Sequence, residues 1–326
     1  MKWSVDMHAA SVVLLTWAII GAACFFPSAG GAVLAATLAV LVAGVGLPHG
    51  AADHLFARPR LEPLCGAAWA AVFLAAYLAV AAGVVAGWFV APAATIVVFF
   101  LASAWHFGQE EPDLAIGPRR LRPLFRFARG GLVIWLPLVV HTADVSRILA
   151  VVTPGEAGRG VDEAVFGLKG FSWAMLAVAS LGWVLEVLKA GRAGGRLRRV
   201  LLTDSAVVAS FAVLFAIASP LVGFLAFFCG WHSVRGLRRL RRERGETWAR
   251  LGRSLAPMTV ASIALITATA WLLFREPRID DTLLRATFIG LSGLAVPHLV
   301  LHGVAPLIDA MGRRRQQPGL QLGGAA

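Results

Sequence analysis

The feature that most constrains this chain is a succession of apolar stretches of roughly 16 to 25 residues, the length that crosses a bilayer as a helix. Ten can be marked, over residues 8–26, 31–49, 65–90, 93–108, 130–152, 168–188, 200–219, 221–235, 255–274 and 284–307, with short connections between them. Only 15% of the 326 residues are charged and 58% are hydrophobic, with a mean hydropathy of +0.75, so there is too little polar surface to cover a soluble globule. The expectation is an all-α, polytopic transmembrane helical bundle of about ten helices, or eight with two re-entrant pieces. Residues 1–310 read as a single membrane domain, and residues 311–326 as a polar, disordered cytoplasmic tail.

A net charge of +12 would suggest nucleic acid in a soluble domain. Here the arginines occupy short connections between apolar stretches, which is what membrane orientation predicts, so nucleic acid is set aside. With a cytoplasmic N-terminus, one side collects Arg58 and Arg60, the 119–129, 189–199 and 235–253 clusters, and Arg313 to Arg315. That asymmetry predicts a protein of the cell's inner membrane with both termini cytoplasmic. Lys2 precedes an apolar stretch without a small-residue cleavage site, which reads as a retained first helix. Cys24, Cys65 and Cys229 form no C-x-x-C pair, so neither a disulfide framework nor a thiolate metal site is indicated.

The chemistry concentrates in Gly46-Leu47-Pro48-His49-Gly50-Ala51-Ala52-Asp53-His54, a polar run closing an apolar stretch. Intramembrane His and Asp mark a functional site by default. Ser103 to Gly108 around His106, Trp231-His232-Ser233, and Pro297-His298 with His302 repeat the pattern. In the expected topology His49, His106, His232, His298 and His302 share one depth near the cytoplasmic face. A lone interfacial histidine is ordinarily a hydrogen-bonded or snorkelling residue, the preferred reading for His8 and His141. Several imidazoles meeting in apolar surroundings each need a partner, and one metal ion satisfies them together. All-imidazole ligation suits zinc, copper, nickel or iron, and the lack of cysteine disfavours iron–sulfur clusters and structural zinc. His49 and Asp53 are four apart, as are His298 and His302, so each pair shares a helix face. Asp53 can then accept the second ring N–H of His49 or of a neighbouring histidine, with Glu110 as a further supporting carboxylate. Trp105, Phe107, Phe227, Phe228 and Trp231 read either as ordinary packing or as the walls for a flat apolar substrate.

Pro48-His49-Gly50-Ala51 with Asp53-His54, Ser103 to Gly108, and Trp231-His232-Ser233-x-Arg235 resemble the motifs of the Brp/Blh family of membrane carotenoid oxygenases, over about residues 46 to 302. The resemblance implies cleavage of β-carotene by O2 at its central 15,15′ double bond, giving two molecules of all-trans-retinal. It implies ferrous iron, Fe(2+), held by His49, His106 and His232. The family pattern continues to a second histidine four residues beyond His232, where this chain has Gly236. His298 is the expected substitute as fourth ligand, on the ground that Pro297-His298 lies at the same depth. The departure keeps two alternatives open, a different carotenoid substrate and a non-catalytic carotenoid-binding or assembly protein. A di-iron desaturase would need dense boxes with adjacent His-His pairs, and none of the eight histidines here is adjacent to another. A transporter would place charged groups at the bilayer midplane of broken helices.

Overall fold

The computed structural model describes residues 3–25, 31–111, 115–153, 160–273 and 279–316. All regular elements among them are helical: α1 (Trp3–Phe25), α2 (Gly31–Leu41), α3 (Leu47–Gly50), α4 (Asp53–Cys65), α5 (Trp69–Val90), α6 (Pro92–Glu110), α7 (Arg122–Gly130), α8 (Leu132–Val140), α9 (Thr142–Val152), α10 (Val161–Arg192), α11 (Gly195–Ile217), α12 (Pro220–Leu225), α13 (Val234–Arg244), α14 (Trp248–Leu273) and α15 (Ile279–Gln316). Proline opens α6 and α12, where its fixed φ suits the first turn and its missing N–H costs nothing. Helix α15 packs on α2, α4, α5, α9 and α14, α10 packs on α7, α8 and α11, and α1 lies along α11.

Among the described residues six stretches are long and apolar enough to cross a membrane, or seven if the α7/α8 pair, bent by 58°, counts as one span. The count of ten is therefore not reproduced. The stretches 31–49 and 65–90 belong to one helical run, Ala32–Val90, of 59 residues. That is about three times what one crossing needs; it turns at Ala51 and Ala52 and again at Gly66, whose φ of 55° is a conformation favouring glycine. The stretch 130–152 divides at Gly131 and His141 into α8 and α9, of nine and eleven residues. At about 1.5 Å per residue neither crosses alone. Hydropathy sums over such breaks, which is why it joined them. At the C-terminus helix continues through Gln316, so the first residues of the expected tail are helical, and residues 317–326 lie outside those described.

Two π-helical turns interrupt the α-helical pattern, at Val42–Gly46 just before α3 and at Ala226–Ser233 between α12 and α13. Such turns shift the register of the side chains beyond them and concentrate at functional sites. They pack together: a Cβ on Gly46 would lie 2.6 Å from Phe228 Cε1, so only glycine admits that ring. Helices α6 and α7 likewise meet backbone to backbone, since a Cβ on Gly130 would strike the backbone of Gly108. Arg126 then reaches the end of α6, donating from Nε to the Gly108 carbonyl at 2.9 Å and from Nη2 to that of Gln109 at 2.5 Å. Carbonyls in the last turn of a helix generally lack an intrahelical partner, and the guanidinium supplies one here.

Candidate metal centre

The π-turn at Val42–Gly46 delivers His49 on α3, α6 brings His106, the π-turn at Ala226–Ser233 carries His232, and α15 brings His298 one residue past Pro297. His49, His106 and His298 each offer a ring nitrogen within 4.8 Å of the others. Each also buries an Nε2 that has no hydrogen-bond partner. Three imidazole lone pairs meeting in an apolar interior are costly unless something binds them. A metal ion is the occupant that this donor set fits.

His232 adjoins this set, its ring centre 4.9 Å from that of His49 and 5.3 Å from that of His106. His302 stands farther back, its ring 4.5 Å from His298 and stacked at 4.2 Å on Phe56. Asp53, 3% exposed, pairs through Oδ1 with Nδ1 of His298 at 2.6 Å, and not with His49. A carboxylate can only accept, so Nδ1 of His298 carries the proton and Nε2 presents its lone pair. His54 is outside the converging set and donates from Nδ1 to the Ala51 carbonyl at 2.7 Å. An Asp53→Asn variant, which leaves the tautomer of His298 unspecified, is expected to bind metal about 10- to 100-fold more weakly. Titration of the purified protein with ferrous ion tests this, and an unchanged affinity would count against the role.

Gly236 faces the same point from α13: a Cβ there would run into the imidazole of His49 at Cε1 and Nδ1. The histidine expected at this position has no room while His49 stands where it does. His8 stacks on Trp231, ring centres 5.5 Å apart, and His141 lies at the α8/α9 break with Nδ1 4.0 Å from Asp144 Oδ2. Neither joins the cluster.

His49, His54, His106, His232 and His298 line an apolar cavity of about 250 Å³ whose wall continues along α5, α6, α8, α9, α14 and α15. Phe107 and Phe228 are part of that wall. The other three aromatic residues expected there are elsewhere. Trp105 is 50% exposed on the outside of α6. Phe227 is packed behind the wall against Phe107, 5.1 Å between ring centres, and Trp231 points into a buried polar network. The helical period could not separate Trp105 from its neighbours because α6 is apolar on its exposed side, at Val98, as well as toward the core.

Among the described residues the partner of the Glu110 carboxylate is Arg239, at 2.6 Å, and not a histidine. The buried acid is its neighbour Glu111, which two adjacent glutamates in a sequence give no means to choose. Oε1 of Glu111 accepts from Trp231 Nε1 at 3.3 Å and from Arg235 Nη1 at 3.2 Å, and Oε2 accepts from Arg129 Nη2 at 3.2 Å. Arg129 also pairs with Glu186 at 3.0 Å and with Asp204. Burial alone would push the Glu111 carboxyl up, but the Arg129 and Arg235 charges outweigh it and hold the group below the usual carboxylate range. The network ties the end of α6, which carries His106, to the turn that carries His232. A Glu111→Ala variant is expected to lose about 1–3 kcal/mol of stability, since Trp231 and Arg235 lose an acceptor while Arg129 keeps two. Thermal melting in detergent checks it; an unchanged midpoint would contradict the assignment.

A bundle of membrane-length helices with converging imidazoles at an apolar cavity defines a helical membrane protein with a candidate histidine metal centre. A family model described as "Beta-carotene 15,15'-dioxygenase" matches residues 40–304, and the chain belongs to that family. It is 28% identical over 271 residues to a "Beta-carotene 15,15'-dioxygenase" of an uncultured marine bacterium, covering 80% of this chain and 90% of the relative. It is also 28% identical over 278 residues to a "Probable beta-carotene 15,15'-dioxygenase Blh" of Halobacterium salinarum, covering 78% of this chain and 79% of that one. No solved structure matches the chain.

Proposed function

We propose that this protein is a non-haem iron dioxygenase of the cell's inner membrane that cleaves β-carotene at its central 15,15′ double bond with O2, giving two molecules of all-trans-retinal. The observation that carries the reading is the meeting of three unpartnered, buried imidazole nitrogens at an apolar cavity. His49, His106 and His298 would hold ferrous iron, with His232 beside them as the fourth imidazole. Bound by neutral ligands, the ion would supply the electrons and open positions that activation of O2 requires. Asp53 keeps the proton on Nδ1 of His298 and so keeps its lone pair aimed inward. β-Carotene has no polar handle, so the walls must orient it by shape, and the rings of Phe107 and Phe228 offer flat faces to the polyene. Both oxygen atoms of one O2 end in the two aldehydes, so no external reductant is required. The crowding of basic residues onto α13 and the 119–129 and 189–199 segments supports cytoplasmic termini.

Expression in cells that accumulate β-carotene, with retinal quantified by chromatography, tests the reading. Retinal from the unaltered chain and none from a folded His106→Ala variant is the expected result. No retinal from folded, iron-loaded protein would sink it.

A further inference from the structure

We infer that the substrate enters this cavity sideways from the hydrocarbon layer of the membrane, through a gap between α5 and α14. The inference rests on the proposed carotenoid substrate and names its route. Among the described residues lining the cavity, those on the outer surface are Leu74 and Leu78 of α5 and Ala261 and Leu265 of α14. The three leucines are 41%, 48% and 44% exposed. A side chain that belongs both to a cavity wall and to the outer surface lies at the mouth, and here the mouth falls on two helices alone.

Those two helices are held by a common neighbour. Helix α15 packs on both, and α5 and α14 share at most marginal contact. The Tyr77 hydroxyl donates to the Leu294 carbonyl at 2.8 Å and pins α5. Ile266 pins α14 by seating on Gly290, where an added Cβ would lie 2.8 Å from its Cγ1. Leu291 and Leu294 of α15 line the cavity behind the gap. Helix α14 is also poorly embraced by the bundle: 6% of its most apolar window is buried, against 44% for α11 and for α15. An element with so few buried contacts moves aside at low cost.

The rim chemistry selects the source. All four rim side chains are hydrocarbon and sit on membrane-length helices, so the mouth opens toward acyl chains, where a water-insoluble polyene is dissolved. A mouth serving a substrate delivered through water would carry polar groups at its edge.

The test uses the full chain in phosphatidylcholine vesicles containing β-carotene, kept free of O2 so that loading is read without cleavage. Carotenoid recovered with the protein after the vesicles are removed is followed over time. A Leu78→Trp/Leu265→Trp variant is expected to load at least tenfold more slowly. Leu202→Trp on α11, an equally exposed site that does not line this cavity, is expected to load at the unaltered rate. Leu78→Ala/Leu265→Ala, which widens the gap, is expected to load faster, a gain that misfolding does not produce. Equal rates in the tryptophan double variant and the unaltered chain would overturn the portal, as would equal slowing by Leu202→Trp. Admitting O2 afterwards separates the two readings: loading without retinal removes the cleavage reading and leaves the portal standing, and no loading by the unaltered chain removes both.

Discussion

A His298→Ala variant is expected to lose bound iron and to form at least about 100-fold less retinal than the unaltered chain, the scale on which a misplaced reacting centre fails. The side chain serves two purposes. Its Nε2 is, with those of His49 and His106, one of the three unpartnered nitrogens buried in the converging set, and its Nδ1 is the partner of Asp53 at 2.6 Å. Removing it therefore opens the metal site and also takes from Asp53, 3% exposed, its closest partner, leaving His302 Nε2 at 3.7 Å. Breaking a buried pair by deleting one member costs about 3–5 kcal/mol, so the variant is also expected to melt earlier. The two effects separate in a His298→Ala/Asp53→Asn double variant, which recovers stability because no charge is left unpaired and does not recover iron. Metal analysis beside thermal melting reads both, and a folded His298→Ala protein with its full iron content would remove His298 from the proposed ligand set.

A side chain at position 236 is expected to be nearly as damaging, although the residue there has none to lose. Any Cβ at this place on α13 meets the imidazole of His49, and that ring must yield because the helix backbone cannot. Displacing a proposed ligand by about 1 Å is enough for a loss near 100-fold, so Gly236→Ala is expected to lower iron affinity and retinal output together while melting close to the unaltered protein. Gly236→His, which restores the residue the family motif leads one to expect, is expected to give no gain. A rise in retinal from Gly236→His would mean that His49 can move aside, and that this chain is one ligand short and not differently arranged.

Several features were legible in the sequence for simple reasons. Apolar stretches of membrane length demand helices, and histidines at the ends of those stretches share a depth whatever the packing. His49, His106, His232, His298 and His302 consequently come within reach of one another, and Asp53 next to them takes a histidine as partner. The number of crossings was not legible. Hydropathy adds residues without regard to the backbone, so the breaks at Gly131 and His141 passed as one segment, and the positive φ of Gly66 is a conformation that composition does not record. The choice of Glu111 over Glu110 was illegible too. It depends on where α6 ends and on Arg129, which reaches it from a helix 18 residues further on.

By itself the sequence determined the helical membrane class, the family and the set of histidines, because length, motif and spacing are properties of the chain alone. Only the tertiary structure decided which imidazoles converge, that Asp53 holds His298, that Gly236 leaves room for His49, and which walls the cavity has. Each of those is a contact between helices, and π-turns and close glycine approaches set the rotation and distance of helices without leaving a periodic trace in the residues they join.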